Sequence, residues 1–352
     1  MAAESMTPEP NVDAEPLAAS VPVSVIVPMR NVEATLAETL DSLLRQTAQD
    51  FELIVSDNGS SDRSVEIAQS YRPRFSDMRV IDASIAPGSG FARRAGVEAA
   101  RGEILIFIDS DDVVNEVYVE AMAAALRQRT FVHAAQDMTL LNPKWAVARN
   151  PGRGSRTETV GDWKFAGSAT LGVRREEYDR VGGFCTEPEI AEDNDFCFRM
   201  RHAGHDLQVV PDAIVHVRQK FDLRSAFAQS RYYGRCHAHT NRLWRPMGLP
   251  AESEWTVVRR GFDLLTFRHL MGLRTAEGRY WSVRELGVVV ARGWGNIKDV
   301  VTRRKFRPAV GLGRPSQDPF LEPFRRLRGE QERTSVTTDT ARSRHATPLD
   351  QP

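Results

Sequence analysis

Short apolar runs alternate with helix-like segments through the first third of this chain, and that alternation constrains the fold more than any other feature. The runs span residues 23–27, 51–55, 78–81 and 103–108, and they have the length and apolar content of buried strands. Strands that alternate with helices predict an α/β fold with a mostly parallel, Rossmann-like sheet flanked by helices. The fourth run is the most apolar, so we expect it at the centre of the sheet.

The predicted helices have recognisable starts and ends. Asn31 can cap the first helix, and Ser61 or Asp62 can cap the second. The first helix carries an apolar stripe of the 3.6-residue period, formed by Val32, Leu36, Leu40, Leu43 and Leu44. Further helices are expected over 91–100, with Gly102 after the end, and over 116–127.

Ligands bind such sheets outside the carboxyl ends of the strands. After the first, second and fourth strands the sequence places Pro28, Asn31, Asp57, Asp109, Asp111 and Asp112. Carboxylates gathered at one edge repel one another, so we expect a hard divalent cation among them. Asp109 and Asp111 can both reach one ion from a strand-to-loop turn, and the alternative is a solvated turn in which Asp112 caps a helix.

Several motifs occur in order along the first 218 residues. They are VSVIVPMRN at 23–31, VSDNGSSD at 55–62, ARRAG at 92–96 and IDSDD at 108–112, followed by GGF at 182–184, EDND at 192–195, RMRHAG at 199–204, Pro211 and His216. Their order and spacing resemble family 2 glycosyltransferases, which have the GT-A fold and use a nucleotide-sugar donor. The resemblance covers residues 21–218 and implies an inverting glycosyltransferase catalytic domain over that range.

The resemblance implies a nucleotide site built from several of these positions. Asp57 matches the carboxylate that accepts from the ring N–H of uracil or guanine, and Pro28 and Asn31 match the loop beside the nucleotide. Arg93 matches a basic residue near the diphosphate, although it could also be an exposed helix arginine. We expect a UDP-sugar donor rather than a GDP- or dTDP-sugar.

The resemblance also implies a metal site that holds Mg²⁺ or Mn²⁺. Asp109 and Asp111 match the metal and ribose motif, and Asp111 is the expected direct ligand. Some relatives complete the metal shell with a histidine at the position of His216, which otherwise has a structural role.

Asp193 matches the catalytic base of the family. An inverting transfer needs a carboxylate on the face opposite the leaving diphosphate, where it takes the proton of the acceptor hydroxyl. Acidic residues are also favourable at a helix start, and that reading can explain Asp195 and Glu192 without catalysis. Glu192 and Trp163 are the expected acceptor-side residues, and packing is the alternative for Trp163.

Charge divides the chain into unlike parts. The formal charge is zero, with 47 Lys and Arg against 47 Asp and Glu, which gives no reason to expect nucleic-acid binding. Residues 1–218 hold 22 basic and 34 acidic residues, a balance of −12, whereas 219–330 hold 22 and 10, a balance of +12. The basic part is either a solvated surface or a contact for an anionic partner such as a membrane.

We therefore divide the chain at these points. Residues 1–20 are expected to be a disordered lead, 219–330 a basic, mainly helical subdomain, and 331–352 a disordered tail. Helical stripes are expected around Leu223 and Phe227, around Phe262 and Leu265, and around Val283 and Leu286. The segment 281–306 could lie on a membrane or pack on the catalytic domain.

Three cysteines and the absence of a basic, apolar leader predict a cytoplasmic protein, with a peripheral contact at the inner face of the membrane as an option. Arginine greatly outnumbers lysine, which is typical of a GC-rich bacterial gene. We expect a glycan or lipid-linked acceptor in cell-envelope or exopolysaccharide assembly. The alternatives are an inactive relative that serves as a nucleotide-sugar-binding or scaffold subunit, and a sugar nucleotidyltransferase.

Overall fold

The structure is a computed structural model that describes residues 22–148, 157–187, 190–250 and 273–302. In the last range, side chains are described as far as Ala291. The predicted lead, the predicted tail and the helical stripe around Phe262 lie outside the described residues.

An eight-stranded sheet forms the centre of the described chain, and two further strands pair separately. The ten strands of the described residues are β1 (Val23–Met29), β2 (Glu52–Asp57), β3 (Met78–Asp82), β4 (Ile104–Phe107), β5 (Val113–Val114), β6 (Phe131–Asp137), β7 (Glu158–Val160), β8 (Trp163–Phe165), β9 (Leu171–Arg174) and β10 (Gln208–His216). The order in the large sheet is β3-β2-β1-β4-β9-β6-β10-β5, while β7 pairs with β8. β1, β2, β3 and β4 pair in parallel, as do β6 and β10. The prediction of a mostly parallel sheet with the fourth strand inside it is confirmed.

Antiparallel pairing enters the sheet through two strands. β9 runs antiparallel to both β4 and β6, and β5 runs antiparallel to β10. The pairing of β10 with β6 shifts in register between Val210 and Ile214. β5 directly follows the acidic turn at residues 109–112, so its pairing with β10 connects that turn to the edge of the sheet.

Helices cover both faces of the sheet. They are α1 (Leu36–Leu44), α2 (Ser64–Tyr71), α3 (Ser89–Ala99), α4 (Tyr118–Gln128), α5 (Lys144–Ala148), α6 (Arg175–Arg180), α7 (Glu192–His202), α8 (Leu223–Trp244) and α9 (Ala276–Thr302). One apolar core joins the sheet to α1 and α4, and a second joins it to α3, α6 and α7. Burial of these two layers is the main stabilising contribution to the fold.

The start of the first helix differs from the prediction. Asn31 has a left-handed backbone with φ of 52°, and its side-chain oxygen accepts from the N–H of Ser61 at 2.7 Å. Because it is bonded to the neighbouring loop, Asn31 does not cap a helix, and α1 begins five residues later at Leu36. Asp62 does accept from the N–H of Ser64, the first residue of α2, at 3.0 Å.

Two long helices follow the sheet, as predicted for this part of the chain. Asp222 caps α8 by accepting from the N–H of Ser225 at 2.8 Å. The backbones of α8 and α9 approach closely where glycine removes a side chain: a Cβ on Gly287 would lie 2.9 Å from the carbonyl oxygen of Phe227. No helix within the described ranges is long and apolar enough to span a bilayer.

Candidate active site

A large cleft opens at the carboxyl ends of the parallel strands, where ligands bind in sheets of this type. Its volume is about 1180 Å³. Among the residues predicted from the sequence, those that line it are Pro28, Arg93, Asp109, Asp111, Glu192 and Asp193. The structure therefore brings together side chains from four separate segments of the chain.

The acidic turn after β4 is one side of this cleft. Carboxylate oxygens of Asp109, Asp111 and Asp112 all lie within 4.8 Å of one another. The turn is closed by a hydrogen bond from the N–H of Asp112 to the carbonyl of Asp109 at 3.3 Å. One carboxylate oxygen of Asp112 also accepts from the backbone N–H of Arg218, which ties the turn to the residues after β10.

The three carboxylates disfavour one another's charge. Burial, followed by the charge of Asp109, raises the pKa of Asp111. Burial and then the charges of Asp109 and Asp111 raise the pKa of Asp112 well above its ordinary value. A divalent cation would relieve this repulsion, and carboxylate oxygens are ligands that Mg²⁺ and Mn²⁺ accept. The residues present therefore fit such an ion.

Arg93 connects the acidic turn to the start of α7. This buried side chain is only 3% exposed, and its guanidinium donates to Asp109 and, at 2.8 Å, to Oε1 of Glu192. Burial lowers the pKa of Arg93, but the charges of Asp109 and Glu192 outweigh it and raise that pKa overall. Its Nε–H is buried without a hydrogen-bond partner. The cleft thus contains a positive charge held in place by two carboxylates, and one N–H group of this guanidinium is still available for a hydrogen bond.

Asp193 stands in the first turn of α7, beside Glu192. Burial, and after it the negative charge of Glu192, raises the pKa of Asp193 to about 7. One carboxylate oxygen accepts from the N–H of Asn194 at 2.8 Å. A carboxylate in a cleft that titrates near neutral pH has the proton affinity that a general base requires.

The other acidic residue of this turn is structural. Asp195 is buried and accepts from Nε of Arg199 at 2.9 Å and from the indole N–H of Trp244 at 3.0 Å. The bond from Trp244 joins α7 to α8, so the reading of Asp195 as a helix-start and packing residue agrees with its position. Glu192 differs, because its Oε1 accepts from both Ser89 and Arg93 inside the cleft.

Two predicted nucleotide residues lie beside the cleft rather than on its lining. Asp57 ends β2, is 8% exposed and accepts from the N–H of Ser60 at 3.1 Å. Asn31 is exposed and bonds the same loop. The lining residue at this point is Asn58, whose Oδ1 accepts from the N–H of Gly88 at 2.8 Å and so shapes the loop before α3.

His216 and Trp163 lie outside the lining of the cleft. Nδ1 of His216 lies 2.7 Å from Oδ2 of Asp137, and the ring is not part of the carboxylate group in the described structure. Trp163 does not line the cleft. Its ring is 7% exposed and packs against Phe198 and Trp244 with centroids 5.4 and 6.0 Å away, because β8 lies on the core side of α7.

The sequence reasoning missed an entire lining of the cleft. α8 and α9 contribute aromatic and polar side chains to it, namely Tyr232, Tyr233, His237, Trp281, Arg284 and Glu285. The aromatic content of 219–330 was visible in the sequence, but which helix faces meet the cleft depends on how these helices pack. Asp112, which the sequence placed beside Asp109 and Asp111 with a helix cap as the alternative, joins the acidic group.

The chain resembles known proteins over its first half. The sequence model described as glycosyl transferase family 2 matches residues 24–165. The uncharacterized glycosyltransferase EpsJ of Bacillus subtilis is 43% identical over 106 residues, which are 30% of this chain and 30% of EpsJ. A PGL/p-HBAD biosynthesis glycosyltransferase of Mycobacterium tuberculosis is 38% identical over 102 residues, 29% of this chain and 40% of that protein. The chain thus spans less than half the length of these relatives.

One solved structure shares the overall fold. The mannosyltransferase PcManGT from Pyrobaculum calidifontis, determined with GDP-Man and Mn²⁺, has a TM-score of 0.51 to this chain. The alignment covers 79% of this chain and 87% of that one at 17% sequence identity. This likeness, together with the strand order described above, identifies the GT-A fold.

Proposed function

We propose that this protein transfers a sugar from a nucleoside diphosphate to an acceptor hydroxyl with inversion. The proposal starts from its membership of glycosyltransferase family 2 through residues 24–165. One observation carries the proposal: a single cleft holds the acidic turn, the buried Arg93 and a carboxylate, Asp193, whose pKa is raised to about 7. Together they supply what the reaction needs, which is charge neutralisation on the leaving group and a base for the acceptor.

The donor would lie along the ends of β1, β2 and β4. Pro28 contacts the cleft directly, and we assign Asp57 and Asn31 to the side of the base through the loop that both of them bond. We propose a UDP-sugar ahead of GDP- and dTDP-sugars. Arg93 would donate its Nε–H to the diphosphate. This hydrogen bond would satisfy a buried N–H group that has no partner among the described residues.

Asp109 and Asp111, with Asp112 beside them, would hold a divalent cation. When bound, Mg²⁺ or Mn²⁺ stabilises the negative charge that grows on the leaving nucleoside diphosphate. We propose Asp111 as the direct ligand, because the carboxylate of Asp109 already forms an ion pair with Arg93. In this proposal His216, the last residue of β10, orients Asp137 at the end of β6 and does not ligate the ion.

Asp193 would act at the acceptor. Its carboxylate takes the proton from the acceptor hydroxyl as that oxygen attacks the anomeric carbon and the bond to the diphosphate breaks. Glu192 keeps Arg93 in place by accepting from it at 2.8 Å. The negative charge of Glu192 also raises the pKa of Asp193, so the base is strong enough to accept a proton near neutral pH.

The acceptor and the location of the reaction are further parts of the proposal. We propose a glycan or lipid-linked acceptor of the bacterial cell envelope or of an exopolysaccharide, reached at the inner face of the membrane. The net charge of +12 over 219–330 suits anionic lipid headgroups. On α9, Leu286 and Val290 are 46% and 43% exposed, one turn apart, as expected of a surface contact.

The alternatives make different demands on the site. A scaffold subunit does not need a base, yet Asp193 is in the cleft with a raised pKa. A nucleotidyltransferase needs a glycine-rich basic loop after the first strand, and β1 here is followed by Arg30 and Asn31. Both features favour the glycosyltransferase.

A donor screen tests the proposal. Thermal unfolding is measured with UDP-, GDP- and dTDP-sugars, each with Mn²⁺, Mg²⁺ or EDTA, and release of the nucleoside diphosphate is followed for any sugar that raises Tm. We expect one nucleotide sugar to raise Tm in a metal-dependent way and to be hydrolysed slowly. Binding without turnover would favour the scaffold, and binding to none of these donors would end the enzyme assignment.

A further inference from the structure

We infer that α8 and α9 build the acceptor subsite of this cleft, and that the subsite binds the ring of an uncharged sugar. The inference rests on the proposed transferase function and names the acceptor chemistry that this function leaves open. It concerns residues 223–244 and 276–291, which lie beyond the part of the chain that matches the family.

The two helices reach the reacting end of the cleft. Nδ2 of Asn194, the residue after Asp193, lies 3.3 Å from Nδ1 of His237 on α8. The N–H of Ala191 also donates to the hydroxyl of Thr240 at 2.9 Å. Both contacts fix α8 against the first turn of α7, so a molecule bound along α8 has its hydroxyl groups beside the candidate base.

The two helices pack closely against each other beside this lining. A Cβ on Gly234 of α8 would lie 3.0 Å from the Cβ of Ala291 on α9, and a Cβ on Gly287 would lie 2.9 Å from the oxygen of Phe227. Since larger side chains would force the backbones apart, the two glycines set the distance between the helices. Side chains mounted on such a pair hold their positions better than side chains on loops.

The chemistry of the lining suits a sugar ring. Tyr233 lines the cleft and is 45% exposed, so part of its side chain is accessible to a ligand. Trp281 of α9 lines the same cleft. The C–H faces of a pyranose pack on aromatic rings, while its hydroxyls need hydrogen-bond partners around the edge.

Two polar atoms on these helices lack partners. Oε2 of Glu285 and the hydroxyl of Ser230 are buried without a hydrogen bond among the described residues, and both residues line the cleft. Ser230 is only 2% exposed. Buried polar atoms are normally satisfied, and sugar hydroxyls can donate to Glu285 and either donate to or accept from Ser230.

The charges on the lining favour an uncharged ligand. Among the described side chains that α8 and α9 place in the cleft, Arg284 and Glu285 are the charged ones, and their charges cancel. The guanidinium of Arg284 lies 5.7 Å from the ring of Tyr280 and donates to its hydroxyl at 2.9 Å. Arg93, by contrast, contacts the acidic turn. A phosphate would therefore find its positive partners on the donor side.

Two variants test the inference in the intact chain. Tyr233→Ala removes the aromatic ring, and Glu285→Gln removes a charge without changing the shape of the side chain. Glu277→Gln is the matched control, because Glu277 lies about two turns before Glu285 on α9 and is not part of the cleft lining. Transfer is measured from the nucleotide sugar found in the donor screen to p-nitrophenyl glycosides of neutral hexoses, with hexose 1-phosphates as anionic acceptors.

We expect transfer to at least one neutral glycoside, and a rise of tenfold or more in its KM for both test variants. The KM for the donor should change less than twofold, and the control should match the unsubstituted protein. Equal acceptor KM values in all variants, or transfer to the phosphates alone, would overturn the inference while donor hydrolysis still supported the transferase. If the unsubstituted protein bound no nucleotide sugar, the proposed function itself would be contradicted.

Discussion

Arg93 joins Asp109 of the acidic turn to Glu192 at the start of α7, with 2.8 Å between its guanidinium and Oε1 of Glu192. The arginine therefore connects the proposed metal and diphosphate side of the cleft to the residue next to the proposed base. We expect Arg93→Met to weaken binding of the nucleoside diphosphate about 10- to 100-fold, because a charge-assisted hydrogen bond contributes about 1.5–3 kcal/mol. Calorimetric titration with UDP and GDP measures this.

The control for Arg93 is Arg63→Met. Arg63 forms an exposed ion pair with Glu66 on α2, and such pairs contribute little. Its nucleotide affinity should equal that of the unsubstituted protein. An Arg93→Met protein that is folded by circular dichroism and binds the nucleotide normally would remove Arg93 from the donor site.

The acidic turn makes a prediction about metal removal. Asp111→Asn should lower the affinity for Mn²⁺ at least tenfold, because it removes a charged ligand from a group of three carboxylates. Electron paramagnetic resonance of free Mn²⁺, in the presence of UDP, reports the affinity directly. Asp212→Asn, a change at an exposed position on β10, is the control and should bind Mn²⁺ normally. Equal Mn²⁺ binding by both variants would contradict the assignment.

The raised pKa of Asp193 predicts how the rate depends on pH. A base works when it is deprotonated, so kcat/KM should rise with pH and level off above about 7, the pKa of Asp193. Glu192→Gln removes the charge that, after burial, raises this pKa most, so the rising part of the profile should move to lower pH. Glu176→Gln on the exposed side of α6 should leave the profile in place. A profile that is flat between pH 5 and 8, to within about twofold, would exclude a base with this pKa.

A buried ion network near the other end of the sheet predicts the acid stability of the fold. Glu52 is 6% exposed, accepts from Ser24, and pairs with Arg79 and with Arg101 at 3.1 Å. Burial raises the pKa of Glu52, but the bonds from Ser24 and the arginines lower it below its ordinary value overall. Its contribution to stability is therefore present above the unfolded pKa of 4.5 and lost as the pH falls through the lower folded pKa.

Glu52→Gln should reduce the free energy of unfolding by about 3 kcal/mol at pH 7, because it leaves two arginines without their common partner. The loss should shrink as the pH falls below the unfolded pKa of 4.5 and through the lower folded pKa, because the natural side chain then also becomes protonated. Urea unfolding over a series of decreasing pH values measures the change, with the exposed Glu66→Gln as control. An equal loss at every pH would show that the effect is one of packing and not of charge.

The first four strands of the fold could be predicted because each is a short run in which apolar residues predominate, and such runs form strands wherever a sheet can bury them. β9 could not be predicted. It is four residues long and contains Gly172, where a Cβ would lie 2.8 Å from Cε of Met122 on α4. The need for glycine there comes from a helix packed across the strand, and no local pattern reveals that contact.

The candidate site divides along the same line. Arg93, Asp109, Asp111 and Asp193 were predicted from motifs of fixed spacing, and the structure brings them into one cleft. The sequence could not decide between an acceptor-side and a packing role for Trp163, because its partners, Phe198 and Trp244, belong to α7 and α8, far along the chain. Tyr233 and Glu285 were missed for a related reason: a helical pattern shows which residues share a face, but not what that face contacts.

Asp193→Asn tests the central claim most directly. The substitution keeps the size of the side chain and removes its ability to take a proton. Glycosyl transfer from the donor identified by the screen should fall about a hundred- to ten-thousand-fold, while the Kd for that donor, measured on the same preparation by calorimetry, stays within threefold. Near-normal transfer by the variant, with donor binding intact, would contradict the account of Asp193 as the base of this reaction.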